Sequence, residues 1–235
     1  LGSRSAERWL ERRTRYTRSL GLMSVVGYIL GLGDRHPSNL MLDRISGEVM
    51  HIDFGDCFEV AVHRDKFPER VPFRLTRMLV NAMGVSGVEG NYRCTCEAAM
   101  GALRCHPESV LAMLAAFLHD PLLNWNLQFA NVRRAEAALK VIGGFEGDGG
   151  ASALVASATS PPPQSPQVGQ PGGDHGHSAD EMAVQVVDRV KAKLSGTDFG
   201  VGGGLDVHMQ VDRLITEARS HTNLCQMFTG WNALW

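Results

Sequence analysis

The sequence lacks several features that would assign a protein to a class at once. Its 235 residues contain no run of about eighteen apolar residues, so no membrane-spanning helix is predicted. The formal net charge is only -2, which gives no overall field that would attract nucleic acid or an anionic membrane. The first residues, Leu1 to Arg4, include neither an initiator Met nor the apolar core of a signal peptide. We therefore interpret the chain as one that is entered midway.

Cysteine is scarce, and its positions follow no framework spacing. The five cysteines lie at positions 57, 94, 96, 105 and 225. Their odd number and irregular spacing predict reduced thiols in an intracellular protein. The pairs Cys94/Cys96 and Cys105/His106 suggest zinc, but their spacing differs from the Cys-x-x-Cys pairs of zinc sites. We interpret these residues as small side chains on helices and predict no zinc.

Hydrophobic periodicity predicts a mainly α-helical protein with one small β-hairpin. A first helix runs from Ser5 to about Leu32 and ends at Gly31 and Gly33. The hairpin consists of a strand at 40–42, a turn at 43–47 and a returning strand at 49–52. Further helices are predicted at residues 75–83, 95–103, 107–119 and 131–142.

A change of composition divides the chain into three parts. Residues 1–145 form a first domain, and residues 146–178 are a disordered linker, because they are rich in Gly, Pro and Ser and carry few large apolar side chains. Residues 179–235 are predicted to form C-terminal helices, with apolar stripes that include Val190 and Val211. The chain remains aromatic up to Trp235, so we expect its end to dock on another part of the protein.

Two polar clusters on either side of the hairpin have the spacing of a phosphoryl-transfer site. Asp34 precedes Asn39 by five residues, and Asp53-Phe54-Gly55 follows the second strand. In protein kinases an Asp and an Asn at this interval lie in the catalytic loop, and the Asp-Phe-Gly that follows holds Mg²⁺. One carboxylate and one amide oxygen are ligands that Mg²⁺ prefers beside substrate phosphates.

These motifs also carry a family resemblance. The segments 33–41 and 51–56 resemble the catalytic and activation-loop motifs of the phosphatidylinositol-3-kinase-related kinases. The stretches 26–55, 71–76, 91–92 and 120–125 are similar to the target-of-rapamycin group of that family. The end of the chain, from Gln210 to Trp235, resembles the FATC segment that closes these kinases. The resemblance implies the C-terminal lobe of a PI3/PI4-kinase-like fold, followed by a helical FATC segment at about residues 203–235.

The resemblance implies a chemical role for four polar residues. Asp34 would orient the substrate hydroxyl or accept its proton, and His36 would stabilise the phosphoryl group in transfer. Asn39 and Asp53 would hold Mg²⁺ or Mn²⁺, with ATP as the co-substrate. His36 follows Asp34 here, whereas ordinary protein kinases have the order His-Arg-Asp.

The resemblance further implies the shape of the nucleotide and substrate sites. Met41 and Ile52, which flank the hairpin, would line the floor of the adenine pocket. Residues 53–75 would form the activation loop that receives a protein substrate. The chain contains neither a Gly-rich phosphate loop nor a strand lysine, which belong to the N-terminal lobe of a kinase. We therefore expect this C-lobe and FATC fragment to be inactive by itself.

Three functions are compared. The leading one is a Ser/Thr protein kinase of the target-of-rapamycin type, which acts on protein substrates in growth and nutrient signalling. A phosphoinositide lipid kinase is the second, but its headgroup requires a basic activation loop. The charges here balance: His63, Arg64, Lys66 and Arg70 against Asp56, Glu59, Asp65 and Glu69. The third is a catalytically silent, truncated scaffold.

The resemblance also implies partners and a location. It implies target-of-rapamycin complex subunits, among them a WD-repeat protein, and no nucleic acid. It implies a cytoplasmic protein, and it allows peripheral association with endomembranes or a nuclear location.

Overall fold

A computed structural model describes residue 3 and residues 5–64, 67–118, 175–200 and 202–231 of the chain, with the side chains of α5 described from residue 183 onward. Within these ranges the structure is mainly helical with one antiparallel pair of strands, which confirms the predicted fold class. The elements in chain order are α1 (Ala6–Leu30), β1 (Leu40–Leu42), β2 (Val49–His51), α2 (Arg77–Ala82), α3 (Asn91–Cys105), α4 (Pro107–Leu118), α5 (His175–Ser195), α6 (Val207–Ala218) and α7 (His221–Leu224). Short 3-10 turns lie at Pro37–Asn39, Val60–His63 and Thr229–Trp231.

Helix α1 begins at a capping serine and ends at a glycine. The Ser5 hydroxyl accepts a hydrogen bond from the Arg8 backbone N–H at 3.3 Å, which satisfies one of the free donors of the first turn. Gly31 has a left-handed φ of 60°, and a Cβ there would lie 2.6 Å from the Glu59 backbone nitrogen. The predicted first helix is confirmed. None of the described helices is both long and apolar enough to cross a membrane.

The predicted hairpin is confirmed in its position, although β2 ends at His51, one residue before the predicted end. Leu40 pairs with His51, and Met41 pairs with Met50. In the turn, the Asp43 carboxylate accepts backbone hydrogen bonds from residues 45 and 46, at 2.8 and 2.6 Å. The Val49 N–H donates to the Ser19 hydroxyl of α1 at 2.8 Å, so one face of the hairpin rests on that helix.

The boundaries of the next helices differ from those predicted. Helix α2 begins two residues late, at Arg77, because Thr76 has an extended ψ of 162°. Helix α3 begins four residues early, at Asn91, because Gly90 has a φ of 77° and the helix follows directly after it. The first turn contains polar residues, so the sequence shows no apolar periodicity there, although Tyr92 within it is fully buried. Helix α4 begins at Pro107, as predicted.

The C-terminal helices pack on the helices of the first domain. In α5 the buried stripe includes Val190 and Leu194, and in α6 it includes Val211 and Leu214. These side chains share one core with residues of α1 and α3, and α6 lies against α3. Helix α5 begins at His175, four residues before the predicted start at Ala179.

Some predictions lie outside the described residues. They are the helix at 131–142, the segment 120–125, residues 146–174 of the predicted linker, and the final residue Trp235. The cysteines at which no zinc site is predicted lie within the described residues. Cys96 is buried, and Cys94 and Cys105 are exposed.

A buried lysine joins helix α5 to the segment that follows the hairpin. The Lys193 side chain is only 3% exposed, and its Nζ lies 2.8 Å from Glu59 Oε1. The same ammonium group donates to the Tyr28 carbonyl oxygen at 2.8 Å. Burial lowers the pKa of Lys193, and the Glu59 carboxylate opposes this effect. A buried charge with a partner is tolerated, whereas one without a partner is costly.

We therefore expect Lys193→Met to destabilise the chain by about 2 kcal/mol, because the Glu59 carboxylate loses its buried partner while it keeps the partly exposed Arg189 at 3.0 Å. The matched control is Lys191→Met on the same helix, since Lys191 forms an exposed pair with Asp188 at 3.4 Å. The control should change stability by less than about 1 kcal/mol. Urea unfolding of the three chains measures both effects. Equal midpoints for the two variants would contradict the assignment.

Candidate active site

The two acidic residues singled out by the sequence lie on loops with an unusual backbone. Asp34 and Asp53 both have a φ of 58°, a left-handed conformation that residues other than glycine seldom adopt. Such a conformation costs roughly 1–3 kcal/mol and persists only where surrounding contacts hold it. Asp34 follows Gly33 in the loop after α1, and Asp53 follows β2 by two residues. The neighbouring contacts therefore decide where these carboxylates lie.

Arg35 connects the two loops. Its side chain is buried, with 2% of the residue exposed, and it donates to three backbone carbonyl oxygens. Nε bonds the Gly33 oxygen at 2.7 Å, one terminal nitrogen bonds the Ile52 oxygen at 2.8 Å, and the other bonds the Asp53 oxygen. Burial lowers the pKa of Arg35, and nearby carboxylates oppose this effect. The sequence analysis gave Arg35 no role.

Asn39 is held so that its amide nitrogen is occupied. Nδ2 donates to the Asp34 carbonyl oxygen at 2.8 Å, and the Asn39 carbonyl oxygen accepts from the Ile52 N–H at 3.1 Å. Only 6% of Asn39 is exposed. An amide nitrogen donates and has no lone pair for a cation, so Oδ1 is the atom of this side chain that can bind one, and the Nδ2 contact fixes its orientation.

Asp53 is exposed, and its Oδ1 atom accepts a hydrogen bond from the Gly55 N–H at 3.1 Å. The carboxylate therefore keeps lone pairs for a cation. Together with Asn39 it offers the oxygen ligands that suit Mg²⁺, which keeps several water or phosphate ligands of its own. In the described ranges, no three His, Cys, Asp or Glu side chains gather into a metal cluster.

His36 lies beside Asp34, and its ring is oriented by the loop. Nδ1 accepts a hydrogen bond from the Ser38 backbone N–H at 3.2 Å. Nε2 lies 4.0 Å from Asp34 Oδ2. Because a backbone N–H can only donate, Nδ1 is unprotonated, and the ring proton of the neutral imidazole is on Nε2. The ring therefore has a donor on the side of the Asp34 carboxylate.

Met41 and Ile52 share the exposed face of the hairpin. Met41 is 53% exposed and Ile52 is 40% exposed. Side chains alternate along a strand, so Met50, which is opposite Met41, lies on the same face and is 61% exposed. Phe54, two residues after Ile52 in the sequence, is also exposed. The structure thus brings Met41 and Ile52 together, and it adds Met50, which the sequence analysis did not name.

A buried glutamate contacts the backbone of Asp34. The Asp34 N–H donates to both carboxylate oxygens of Glu69, each at 3.0 Å. Burial raises the pKa of Glu69 to about 7, while the Asp34 amide and the Arg64 guanidinium act in the opposite direction. Arg64 lies 3.9 Å from Glu69 and 3.9 Å from Asp34, and it also pairs with Asp56. Sequence reasoning counted both Glu69 and Arg64 only as charges of the predicted activation loop.

The C-terminal segment reaches the same site through Arg74. This residue is 3% exposed, and it donates to the Arg35 carbonyl oxygen at 2.8 Å and to the Trp231 carbonyl oxygen. Its guanidinium lies 5.3 Å from the centre of the Trp231 ring. Nearby, Phe67 and Phe228 form an edge-to-face contact at 5.7 Å. Residues at opposite ends of the chain therefore meet behind the loop that carries Asp34.

Comparison with known proteins agrees with this geometry. The family model for phosphatidylinositol 3- and 4-kinase matches residues 1–127, and the model for the FATC domain matches residues 204–235. The chain is 49% identical to the serine/threonine-protein kinase tor1 of Schizosaccharomyces pombe and 52% identical to the serine/threonine-protein kinase mTor of Drosophila melanogaster. Each comparison covers 100% of this chain and 10% of the relative.

A solved structure has a similar fold. The FAT and kinase domain of CtTel1 superposes with a TM-score of 0.67 and 32% identity, over 97% of this chain and 13% of that one. The resemblance to the phosphatidylinositol-3-kinase-related kinases, and within them to the target-of-rapamycin kinases, is confirmed. The chain belongs to the phosphatidylinositol 3- and 4-kinase family and carries a FATC domain at its C-terminal end.

Proposed function

We propose that this chain supplies the catalytic loop and the metal ligands of a Ser/Thr protein kinase of the target-of-rapamycin type. The observation that carries the proposal is the Arg35 side chain, which binds the Asp34 loop and the Asp53 loop to each other. The relatives of this chain are named serine/threonine-protein kinases, and these names support the proposed reaction class. The chain spans 10% of those relatives, so the activity proposed is that of a kinase that contains it.

In the proposed reaction, Asp34 orients the hydroxyl of a Ser or Thr and accepts its proton as the oxygen attacks the γ-phosphorus of ATP. A new P–O bond forms to the substrate, the bond to the β-phosphate oxygen breaks, and ADP leaves. The Nε2–H of His36 can donate to an oxygen of the phosphoryl group in transfer. Met41 and Ile52 offer apolar contact to the adenine ring. Bound Mg²⁺ would neutralise charge on the phosphates.

Asn39 and Asp53 would hold that ion. The hydrogen bond from Asn39 Nδ2 to the Asp34 carbonyl oxygen has a further consequence, because it ties a metal ligand to the backbone of the proposed base. A small displacement of one would displace the other. Positioning of this kind contributes strongly to phosphoryl transfer, in which little covalent chemistry is left to the protein.

The contacts of Arg64 disfavour a phosphoinositide lipid kinase. A lipid headgroup needs basic side chains that can pair with its phosphates. Arg64 is already in contact with the carboxylates of Asp34, Asp56 and Glu69. The observed pairing therefore supports a protein substrate.

Two further predictions come from the family resemblance alone. They are the subunits of a larger complex, among them a WD-repeat protein, and a cytoplasmic location.

The catalytically silent scaffold is distinguished by comparing this chain with the intact kinase. Among the described residues, Met41, Met50 and Ile52 form an exposed face, and ATP bound to this chain alone would lack the N-terminal lobe of a kinase to hold it. We therefore expect neither tight ATP binding nor turnover from the chain alone, but Asp34-dependent phosphorylation of a Ser/Thr peptide by the intact kinase. An inactive intact kinase would favour the scaffold.

The metal assignment predicts that Asp53→Ala in the intact kinase lowers turnover at saturating Mg²⁺ on the order of a thousandfold. The physical reason is the loss of the only carboxylate assigned to the metal. Asp188→Ala is the control, since Asp188 is an exposed residue of α5. Rates are measured with a Ser/Thr peptide. Turnover of Asp53→Ala within a few-fold of the parent would refute the assignment.

The connection between the loops predicts a second effect. Arg35→Lys keeps the positive charge but cannot reach three carbonyl oxygens with a planar fork of donors. We expect kcat to fall roughly a hundredfold, because the two loops are no longer held in register. The control is Arg44→Lys in the exposed hairpin turn. If steady-state kinetics show equal kcat values for both variants, Arg35 does not carry the arrangement.

A further inference from the structure

The backbone of Asp34 is held at both of its polar groups by side chains from other parts of the structure. Its N–H donates to Glu69, and its carbonyl oxygen accepts from Asn39. A non-glycine residue with a φ of 58° keeps this conformation only when such contacts fix it. The Asn39 contact lies within the catalytic loop, five residues away, whereas the Glu69 contact comes from 35 residues away.

The carboxylate of Glu69 lies in a tightly packed place. A Cβ at Gly33 would lie 2.2 Å from the Ala61 Cβ and 3.4 Å from Glu69 Oε2. The Glu69 N–H donates to the Ala61 carbonyl oxygen at 3.0 Å. Ala61 and Glu69 are thus packed directly on the backbone at Gly33 and Asp34, and 6% of Glu69 is exposed.

Buried carboxylates usually pair with a cation, but Glu69 uses its two oxygens on a backbone amide. Arg64 is 3.9 Å from Oε1, beyond hydrogen-bond distance, and it pairs more closely with Asp56. The direct partner of Glu69 is therefore the Asp34 N–H. In its ionised form the Glu69 carboxylate is a stronger acceptor for this amide than a neutral oxygen would be.

We propose that Glu69 is a positioning residue, which fixes the backbone of Asp34 so that its carboxylate is aimed at the hydroxyl of the substrate. The proposal rests on the proposed function, because it takes Asp34 as the base. Glu69 itself touches neither substrate nor nucleotide. Through it, the end of the activation segment controls the orientation of the base, so that disorder in this segment reduces kcat while the nucleotide still binds.

The kinetic test compares Glu69→Ala and Glu69→Gln in the intact kinase. The alanine removes both acceptor oxygens, and we expect kcat to fall roughly a hundredfold with the KM for MgATP unchanged within about threefold. Glutamine keeps one acceptor oxygen without the charge, and it should recover kcat to within roughly tenfold of the parent. Glu108→Ala, at an exposed position in α4, is the control and should match the parent.

A structural readout separates positioning from a general loss of stability. Hydrogen exchange of the peptide that contains Asp34 should be faster in Glu69→Ala than in the parent, and intermediate in Glu69→Gln. Each protein is measured at the same interval below its own unfolding temperature. If Glu69→Ala fails to fold, the glutamine variant carries both measurements. A kcat within threefold of the parent for both variants would overturn the proposal, as would an unchanged rate of exchange at Asp34.

The outcomes also distinguish this proposal from the proposed function. If the parent kinase has no Asp34-dependent turnover, the function is wrong, while the exchange measurement still tests the Glu69 contact. If the parent is active and a fall in kcat is accompanied by an equal rise in the KM for MgATP, the contact serves nucleotide binding, and the positioning role is refuted.

Discussion

The arrangement of the site depends on one buried guanidinium. Asp34 and Asp53 lie on different loops, one after α1 and one after β2, and each has a left-handed backbone conformation. Arg35 connects them by donating to carbonyl oxygens on both loops. A planar group with five donors is well suited to this task, because one side chain satisfies several buried acceptors at once. Arg74 then fixes the Arg35 backbone from behind.

The C-terminal segment helps to support the loop that carries Asp34. Trp231 accepts a hydrogen bond from Arg74, and Lys193 of α5 binds Glu59. Each contact joins a buried cation to a residue more than a hundred positions away in the chain. Because a buried cation without its partner is costly, the activation segment and the C-terminal helices are expected to be ordered together. The fold thus makes the geometry of the site depend on the end of the chain.

Local patterns in the sequence predicted the parts of the structure that local chemistry determines. The first helix follows from apolar periodicity with a closing glycine, and the hairpin follows from two short apolar runs around a turn. The start of α3 was missed because polar residues surround Tyr92 in its first turn. The contacts of Glu69 and Lys193 were not predictable in this way, since they join residues 35 and 165 positions apart. The roles of Asp34, Asn39 and Asp53 stay predictions.

We infer that Arg35 holds the two loops together so that Asn39 and Asp53 can bind one metal ion. The most direct measurement is a structure of the intact kinase with Mg²⁺ and a non-hydrolysable ATP analogue. We predict Asn39 Oδ1 and the Asp53 carboxylate at about 2.1 Å from the metal, with Arg35 still bonded to the carbonyl oxygens of both loops. A metal bound by other side chains, or an Arg35 that has left these carbonyl oxygens, would contradict the account.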